Sequence, residues 1–272
     1  MGSAVHHLRA VEAVLTGVGP RVIACSGGID SFLLATLSHR HDPESTVVAH
    51  TVTPAVPGDG TARVMAHARA EGWQLEVIRS REFDDERYLS NPTDRCYHCK
   101  TNLYDAVTEL AGSAAPTCAT ILSGANLDDL GEYRPGLVAA AEHAVRHPYV
   151  EAELTKSDIR GVARHIGLVE AELPASPCLA SRLYTGTRVT EARLRAVEIG
   201  EAVVRAAGIP VARCRVRGSE VLVEVPEDDR PLVTQAVLDD VAVAMRTADP
   251  ALASVTLDDR PYRPGQAVLQ VS

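Results

Sequence analysis

The sequence predicts an α/β fold: a Rossmann-like open parallel sheet covered by helices, followed by a small C-terminal α+β domain. Two observations carry this expectation. Short apolar runs alternate with amphipathic stretches over the first part of the chain, and the pattern then breaks at a proline-containing stretch before a strand-rich tail. The runs place strands at Arg21–Cys25, Thr46–Val52, Leu75–Ile78 and Ala119–Ser123. Helices fit Val5–Leu15, Ser31–Ser38, Gly60–Glu71, Cys99–Ala111, Leu137–Ala144 and Lys156–Ile166. In the tail, Thr190 caps a helix that runs to Ala207 and stops at Gly208. Arg213–Arg217 and Val221–Val225 alternate around Gly218-Ser219, Asp229–Arg246 reads as a helix and Ala253–Leu257 as a strand. Tyr262 to Ser272 is expected to pair as an edge strand or to fray. These features divide the chain into a domain at 1–175, a junction at 176–185 and a small domain at 186–272.

At 272 residues and 46% hydrophobic, the chain can bury a substantial core, and it has no apolar run long enough to span a bilayer. Its formal charge of −9 argues against wrapping a nucleic-acid backbone, and 4% aromatic residues provide no base-stacking platform. Met1 to Val14 carries Glu12 and two histidines where a signal peptide needs a basic start and an apolar stretch, so a cytoplasmic protein is expected. Six cysteines without an export signal do not suggest a disulfide framework. Cys25, Cys118 and Cys214 lie in apolar or alternating runs and are expected in the core, whereas Cys96, Cys99 and Cys178 lie among polar and turn-forming residues.

Ser26-Gly27-Gly28-Ile29-Asp30-Ser31 directly follows the first strand. Adjacent glycines allow a tight bend and close approach to a ligand, and amides at the following helix start suit a phosphate. Ser26 and Ser31 add hydroxyl donors, and Asp30 is placed to organise Mg²⁺ on the phosphates. A plain capped Gly-Gly turn is the alternative. The Lys-Ser/Thr pair of a Walker loop is absent. These residues resemble the pyrophosphate loop of the PP-loop ATP pyrophosphatases, whose fold is adenine nucleotide α-hydrolase-like. Ser123-Gly124-Ala125-Asn126-Leu127-Asp128-Asp129 would open at the same sheet edge. There Asn126, Asp128 and Asp129 suit a ribose or Mg²⁺ role, or else a capped surface turn. Lys100, Lys156 and Arg134 would neutralise a triphosphate or serve as ordinary surface charges, and the scattered histidines show no metal spacing.

Cys96 and Cys99 form a Cys-x-x-Cys pair opening a helix beside Arg95 and Lys100, a setting that favours thiolate. The pair fits a redox dithiol, a zinc site completed by His98 and Cys178, or an iron–sulfur cluster held by Cys96, Cys99 and Cys178. With Arg95-Cys96-Tyr97-His98-Cys99-Lys100, Tyr133-Arg134-Pro135-Gly136, Leu154-Thr155-Lys156 and Pro177-Cys178-Leu179-Ala180-Ser181-Arg182, the chain resembles the LarE family over roughly residues 5 to 260. These are PP-loop sulfur transferases acting on a pyridinium mononucleotide precursor of the nickel-pincer cofactor.

The resemblance implies ATP and Mg²⁺ at Ser26, Gly27, Gly28, Asp30, Ser31, Asn126 and Asp129. It implies adenylation of a pyridinium-3,5-biscarboxylic acid mononucleotide with release of pyrophosphate, followed by transfer of sulfur. It puts the sulfur-handling cysteine at Cys178, and the presence of Cys96 and Cys99 favours a [4Fe–4S] cluster over sacrifice of Cys178 or zinc. It assigns Arg213 and Arg215, two apart on a strand, to the substrate phosphate near Glu224, with Asp128, Asp129 and Glu224 as Mg²⁺ candidates. A hexamer built from dimers is also implied. Arg217 and Leu222 stand where the family usually has His and Arg, and Ala171-Glu172-Leu173 replaces a common Trp-Asp-Lys. These departures keep other small-molecule acceptors open. A tRNA base, or an adenine-nucleotide sensor with a cysteine switch, are the remaining alternatives.

Overall fold

The computed structural model describes residues 2–113, 119–131, 134–173 and 177–263. The order of its regular elements is α1 (Gly2–Thr16), β1 (Arg21–Ala24), α2 (Ile29–His41), β2 (Thr46–Thr51), α3 (Gly58–Glu71), β3 (Gln74–Ile78), α4 (Glu86–Leu89) and α5 (Arg95–Ser113). There follow β4 (Thr120–Leu122), α6 (Pro135–Glu142), α7 (Pro148–Glu151), α8 (Lys156–His165), α9 (Glu191–Ala206), β5 (Arg213–Arg217), β6 (Glu220–Glu224), α10 (Gln235–Ala248) and β7 (Ser254–Leu257). Cys118, Tyr133, Pro174, Ser176 and the segment after 263 lie outside the described residues.

The chain divides into two compact units, the first made of Met1–Thr53, Gly58–Glu82 and Cys96–Ser176. Its sheet is parallel, in the order β3-β2-β1-β4, with Arg21 level with both Thr46 and Thr120. Val22, Ile23, Val47 and Val48 are all buried, as expected of central parallel strands covered on both faces, and this explains their continuous apolar runs. One core gathers Phe32, Leu33, Val48, Ile159 and Val162, and a second gathers Val22, Val47, Tyr104, Val107 and Ala139. The α/β expectation therefore holds. Several helix starts fall earlier than the sequence reading: α1 begins at Gly2, α2 at Ile29, α3 at Gly58, α5 at Arg95 and α6 at Pro135, which puts Cys96 in the first turn of α5 and Cys99 just beyond it.

The second unit comprises Pro54–Pro57, Phe83–Arg95 and Pro177–Ser272. Its sheet runs β5-β6-β7; β5 and β6 are antiparallel across Gly218 (φ +62°), and β6 and β7 are parallel. Cys214, Val216, Val221 and Val223 are fully buried on the sheet face that carries the core. A Cβ at Gly200 would lie 2.6 Å from the Met245 sulfur, so only glycine lets α9 approach α10 this closely. The expected Asp229–Arg246 helix is corrected to a 3-10 turn at Glu227–Leu232 and a separate α10. Pro231 lacks an amide hydrogen, and Thr234 caps the new helix by accepting from the Val237 amide. The early segments are tied in by polar contacts: the Asn91 side chain donates to the carbonyls of Tyr184 (2.8 Å) and Thr187 (2.9 Å), and Arg95 to that of Ala180 (2.8 Å). Among the described residues no helix is long and apolar enough to cross a membrane.

Arg21, at 2% exposure, donates to the carbonyls of Leu15 (3.2 Å), Val18 (2.8 Å) and Gly19 (3.1 Å) at the end of α1. Arg21→Met should therefore lower unfolding stability by about 2–3 kcal/mol, because it removes the donor to the Val18 and Gly19 carbonyls and one of the two donors to Leu15. Urea titration would check this, and an unchanged midpoint would contradict it.

Candidate active site

The glycine bend opens at the carboxyl end of β1. Gly27 sits at φ +81°, and a Cβ there would press on Val64 at 3.3 Å and the Gly60 carbonyl at 3.4 Å, both on α3. Gly28 is the N-cap of α2 in extended conformation. The Ser31 hydroxyl holds the bend together: it donates to the Gly28 carbonyl (2.9 Å), accepts from the Ser26 amide (3.2 Å) and lies 3.2 Å from the Ser26 hydroxyl.

The second loop lies against the first. A Cβ on Gly124 would be 2.9 Å from the Asp30 carbonyl carbon and 3.0 Å from the Ser31 nitrogen, so only glycine fits. In the same loop the Asn126 amide donates to Asp129 (3.0 Å), the Asp128 amide to the Asn126 side chain (3.0 Å) and the Lys156 amide to Asp128 (2.9 Å). Asp129 also pairs with Arg134 at 2.7 Å, so both of its oxygens are engaged in shaping the loop.

Asp30 pairs with the Lys156 ammonium through Oδ2, while Oδ1 is buried and accepts no hydrogen bond among the described residues. Burial pushes the Asp30 carboxyl above the usual carboxylate range; Lys156 opposes that shift and Asp129 adds to it. Tyr149 steadies the backbone by donating to the Asp30 carbonyl at 2.9 Å.

Two histidines with no role in the sequence reading shape this edge. His50 Nδ1 lies 2.8 Å from the Cys25 carbonyl and Nε2 3.0 Å from the Thr61 hydroxyl. A carbonyl only accepts, so Nδ1 carries the proton and Nε2 accepts from Thr61. His147 lies 2.9 Å from the Ser123 hydroxyl. Burial lowers the pKa of both rings, and for His147 the charges of Glu151 and Asp129 act against that while Lys100 adds to it. Lys100 thus shares this neighbourhood with Asp129, one residue beyond Cys99.

Cys96 and Cys178 are exposed, Cys99 is half-buried, and none of the three forms a disulfide; Cys96 and Cys99 belong to the first unit and Cys178 to the second. Among the described residues no group of three or more His, Cys, Asp or Glu side chains is placed to hold a metal ion. Cys25 and Cys214 are buried and inert, the Cys25 thiol pushed up to about 11 by burial.

In the second unit Arg182 fixes the turn that carries Cys178. It pairs with Glu201 through two bonds (2.9 and 3.0 Å) and donates to the carbonyls of Pro177 (2.7 Å) and Cys178 (3.1 Å). Arg213, Arg215 and Arg217 share one face of β5. Arg215, 3% exposed, pairs with Glu224 at 2.9 Å and donates to the Ser181 carbonyl at 3.0 Å. Glu224 is thus paired with the arginine beside which the sequence placed it. Arg213 is half-buried and forms no ion pair among the described residues; burial lowers its pKa, and the nearby Arg182 and Arg215 lower it further.

A parallel sheet with a glycine bend and a second close-fitting loop at its carboxyl edge defines a Rossmann-like α/β protein whose ligand edge is at β1 and β4. No model of a known protein family matches the chain. An uncharacterized protein of Synechocystis sp. is 32% identical over 207 residues, 76% of each chain. The pyridinium-3,5-bisthiocarboxylic acid mononucleotide synthase of Lactiplantibacillus plantarum is 28% identical over 208 residues, 75% of this chain and 74% of that one. An uncharacterized protein of Methanocaldococcus jannaschii is 25% identical over 214 residues, 79% of this chain and 81% of its own. The chain belongs to the LarE family.

Two outcomes follow from the loop geometry. Gly124→Ala forces a methyl group into the backbone of Asp30 and Ser31 and should cost about 1–3 kcal/mol of stability, read by chemical unfolding. A neutral, buried His50 resists protonation in the folded state, so the unfolded chain binds the proton first as pH falls below 6.5. Stability should therefore decline from pH 7 to pH 5, and His50→Gln should flatten that slope; equal slopes in both proteins would contradict it.

Proposed function

We propose that the protein is an ATP-dependent sulfur transferase that turns a carboxylate of a pyridinium mononucleotide into a thiocarboxylate. The observation that carries this is the buried, unpartnered Oδ1 of Asp30 at the glycine bend, beside the Lys156 ammonium. A hard anionic oxygen that lacks a partner suits Mg²⁺, and the bend's amides with Ser26 and Ser31 suit the phosphates of ATP. Asn126 and Asp129 then form the wall facing the nucleotide, and Asp128 and Glu224 are further carboxylates for a cation. One relative is named for making a bisthiocarboxylic acid mononucleotide, which supports this acceptor class.

In the proposed reaction a substrate carboxylate attacks the α-phosphate of ATP, pyrophosphate leaves, and an acyl-adenylate forms. AMP is a far better leaving group than oxide, so the carbonyl becomes open to a sulfur nucleophile. Lys156 and the loop amides stabilise the departing negative charge. Sulfide then displaces AMP and gives the thiocarboxylate. Arg213 and Arg215 hold the acceptor's phosphate. Thiolate sulfur suits iron, so a [4Fe–4S] cluster on Cys96, Cys99 and Cys178, with one iron left open, would carry the sulfide in this reading, although among the described residues the three do not form a group placed to hold a metal ion.

Pyrophosphate release should require a carboxylated pyridinium mononucleotide, and release of ADP instead would reject the scheme. Cys178→Ala should abolish thiocarboxylate formation and leave pyrophosphate release intact. About three or more irons per chain after anaerobic purification support the cluster. Zinc or no metal, with dehydroalanine at position 178 after turnover, would point to sacrifice of the cysteine.

A further inference from the structure

The stretch after β7 is built onto the sheet rather than trailing from it. The Asp258 amide donates to the Val223 carbonyl at 2.9 Å, and the Tyr262 amide donates to that of Val225 at 2.9 Å. Arg230 ties the Asp258 carbonyl at 2.7 Å, and the Arg260 amide bonds the Asp258 carboxylate at 2.8 Å. This strap lays the Tyr262 ring over the Arg213 guanidinium, 5.0 Å from ring centroid to Cζ. Among the described residues Arg213 itself makes one hydrogen bond, from Nη1 to the Ala212 carbonyl at 2.8 Å. Arg182 and Arg215 repel it, and each of those is already paired with a glutamate. An arginine so placed would swing toward water unless something held its plane. The electron-rich face of a tyrosine does this without occupying the N–H edge that an anion needs.

We propose that Tyr262 is a positioning residue for anion recognition, stacking on Arg213 so that its free N–H groups stay available to the phosphate of the acceptor. This rests on the assignment of Arg213 and Arg215 to the substrate phosphate. It makes the ring, not the hydroxyl, the working part.

The test compares binding of nicotinic acid mononucleotide and of the matching nucleoside, by calorimetry at fixed ionic strength. Tyr262→Ala should lose about fivefold to tenfold of the preference for the nucleotide and leave nucleoside binding unchanged. Tyr262→Phe should behave as the unaltered protein, and in an Arg213→Ala background the Tyr262→Ala change should have no further effect. Urea midpoints confirm that the variants are folded. An unaltered protein that does not prefer the nucleotide overturns the phosphate site and this inference together. A preference that survives Tyr262→Ala, an equal loss for both probes, or a Phe variant as poor as the Ala variant overturns the inference alone.

Discussion

The edge at the carboxyl ends of β1 and β4 depends on one close approach: Gly124 against the peptide of Asp30 and Ser31. Because no side chain intervenes, the loop after β4 touches the loop after β1, and the Ser31 hydroxyl can close the bend from inside. Asp30 is then half-buried, with Oδ2 on Lys156 and a buried Oδ1 that has no hydrogen-bond partner among the described residues. The same contact brings Asp129 near enough to raise the Asp30 pKa further. Chemistry at this edge follows from how tightly two backbones meet.

The second unit uses charge in a complementary way. Arg182 and Arg215 are buried but balanced by Glu201 and Glu224, so their cost of burial is offset and they serve as fixed struts, Arg182 under the Cys178 turn and Arg215 under Ser181. Arg213 lies beside them and, among the described residues, forms no ion pair of its own, although the charge of Glu201 also reaches it. The chain as a whole carries −9, so this grouping of arginines owes nothing to overall composition.

Much of the fold was legible because buried parallel strands have an unmistakable pattern: Val22-Ile23 and Val47-Val48 have no polar alternation, and the glycines stand where β1 must turn. Local punctuation was legible too, as at the Thr190 cap, which accepts from the Arg193 amide at 3.1 Å. Pro231 was a signal present and passed over, since it splits the expected helix. Other features had no local signal. His50 and His147 act through partners 25 and 24 residues away, and no spacing rule announces a hydrogen bond to a distant carbonyl or hydroxyl. Residue type alone suggests a carboxylate for a cation at Glu224, but its pairing with Arg215 depends on strand register, which the sequence does not display. Likewise nothing in the run from 83 to 95 advertises that it belongs with residues 177 onward.

That last arrangement has a consequence for how the polypeptide can be made and divided. Asn91 answers the carbonyls of Tyr184 and Thr187, Leu89 receives the Val189 amide and Ala55 that of Leu179, so the later unit is completed by strands of chain synthesised long before it. On the ribosome those early segments must wait, unsatisfied, while some eighty-odd residues of the other unit are threaded between them and Pro177. A gene cut at that proline would therefore leave the first unit whole but strip the second of two of its three pieces, and any shuffling of the second module in evolution had to move all three at once.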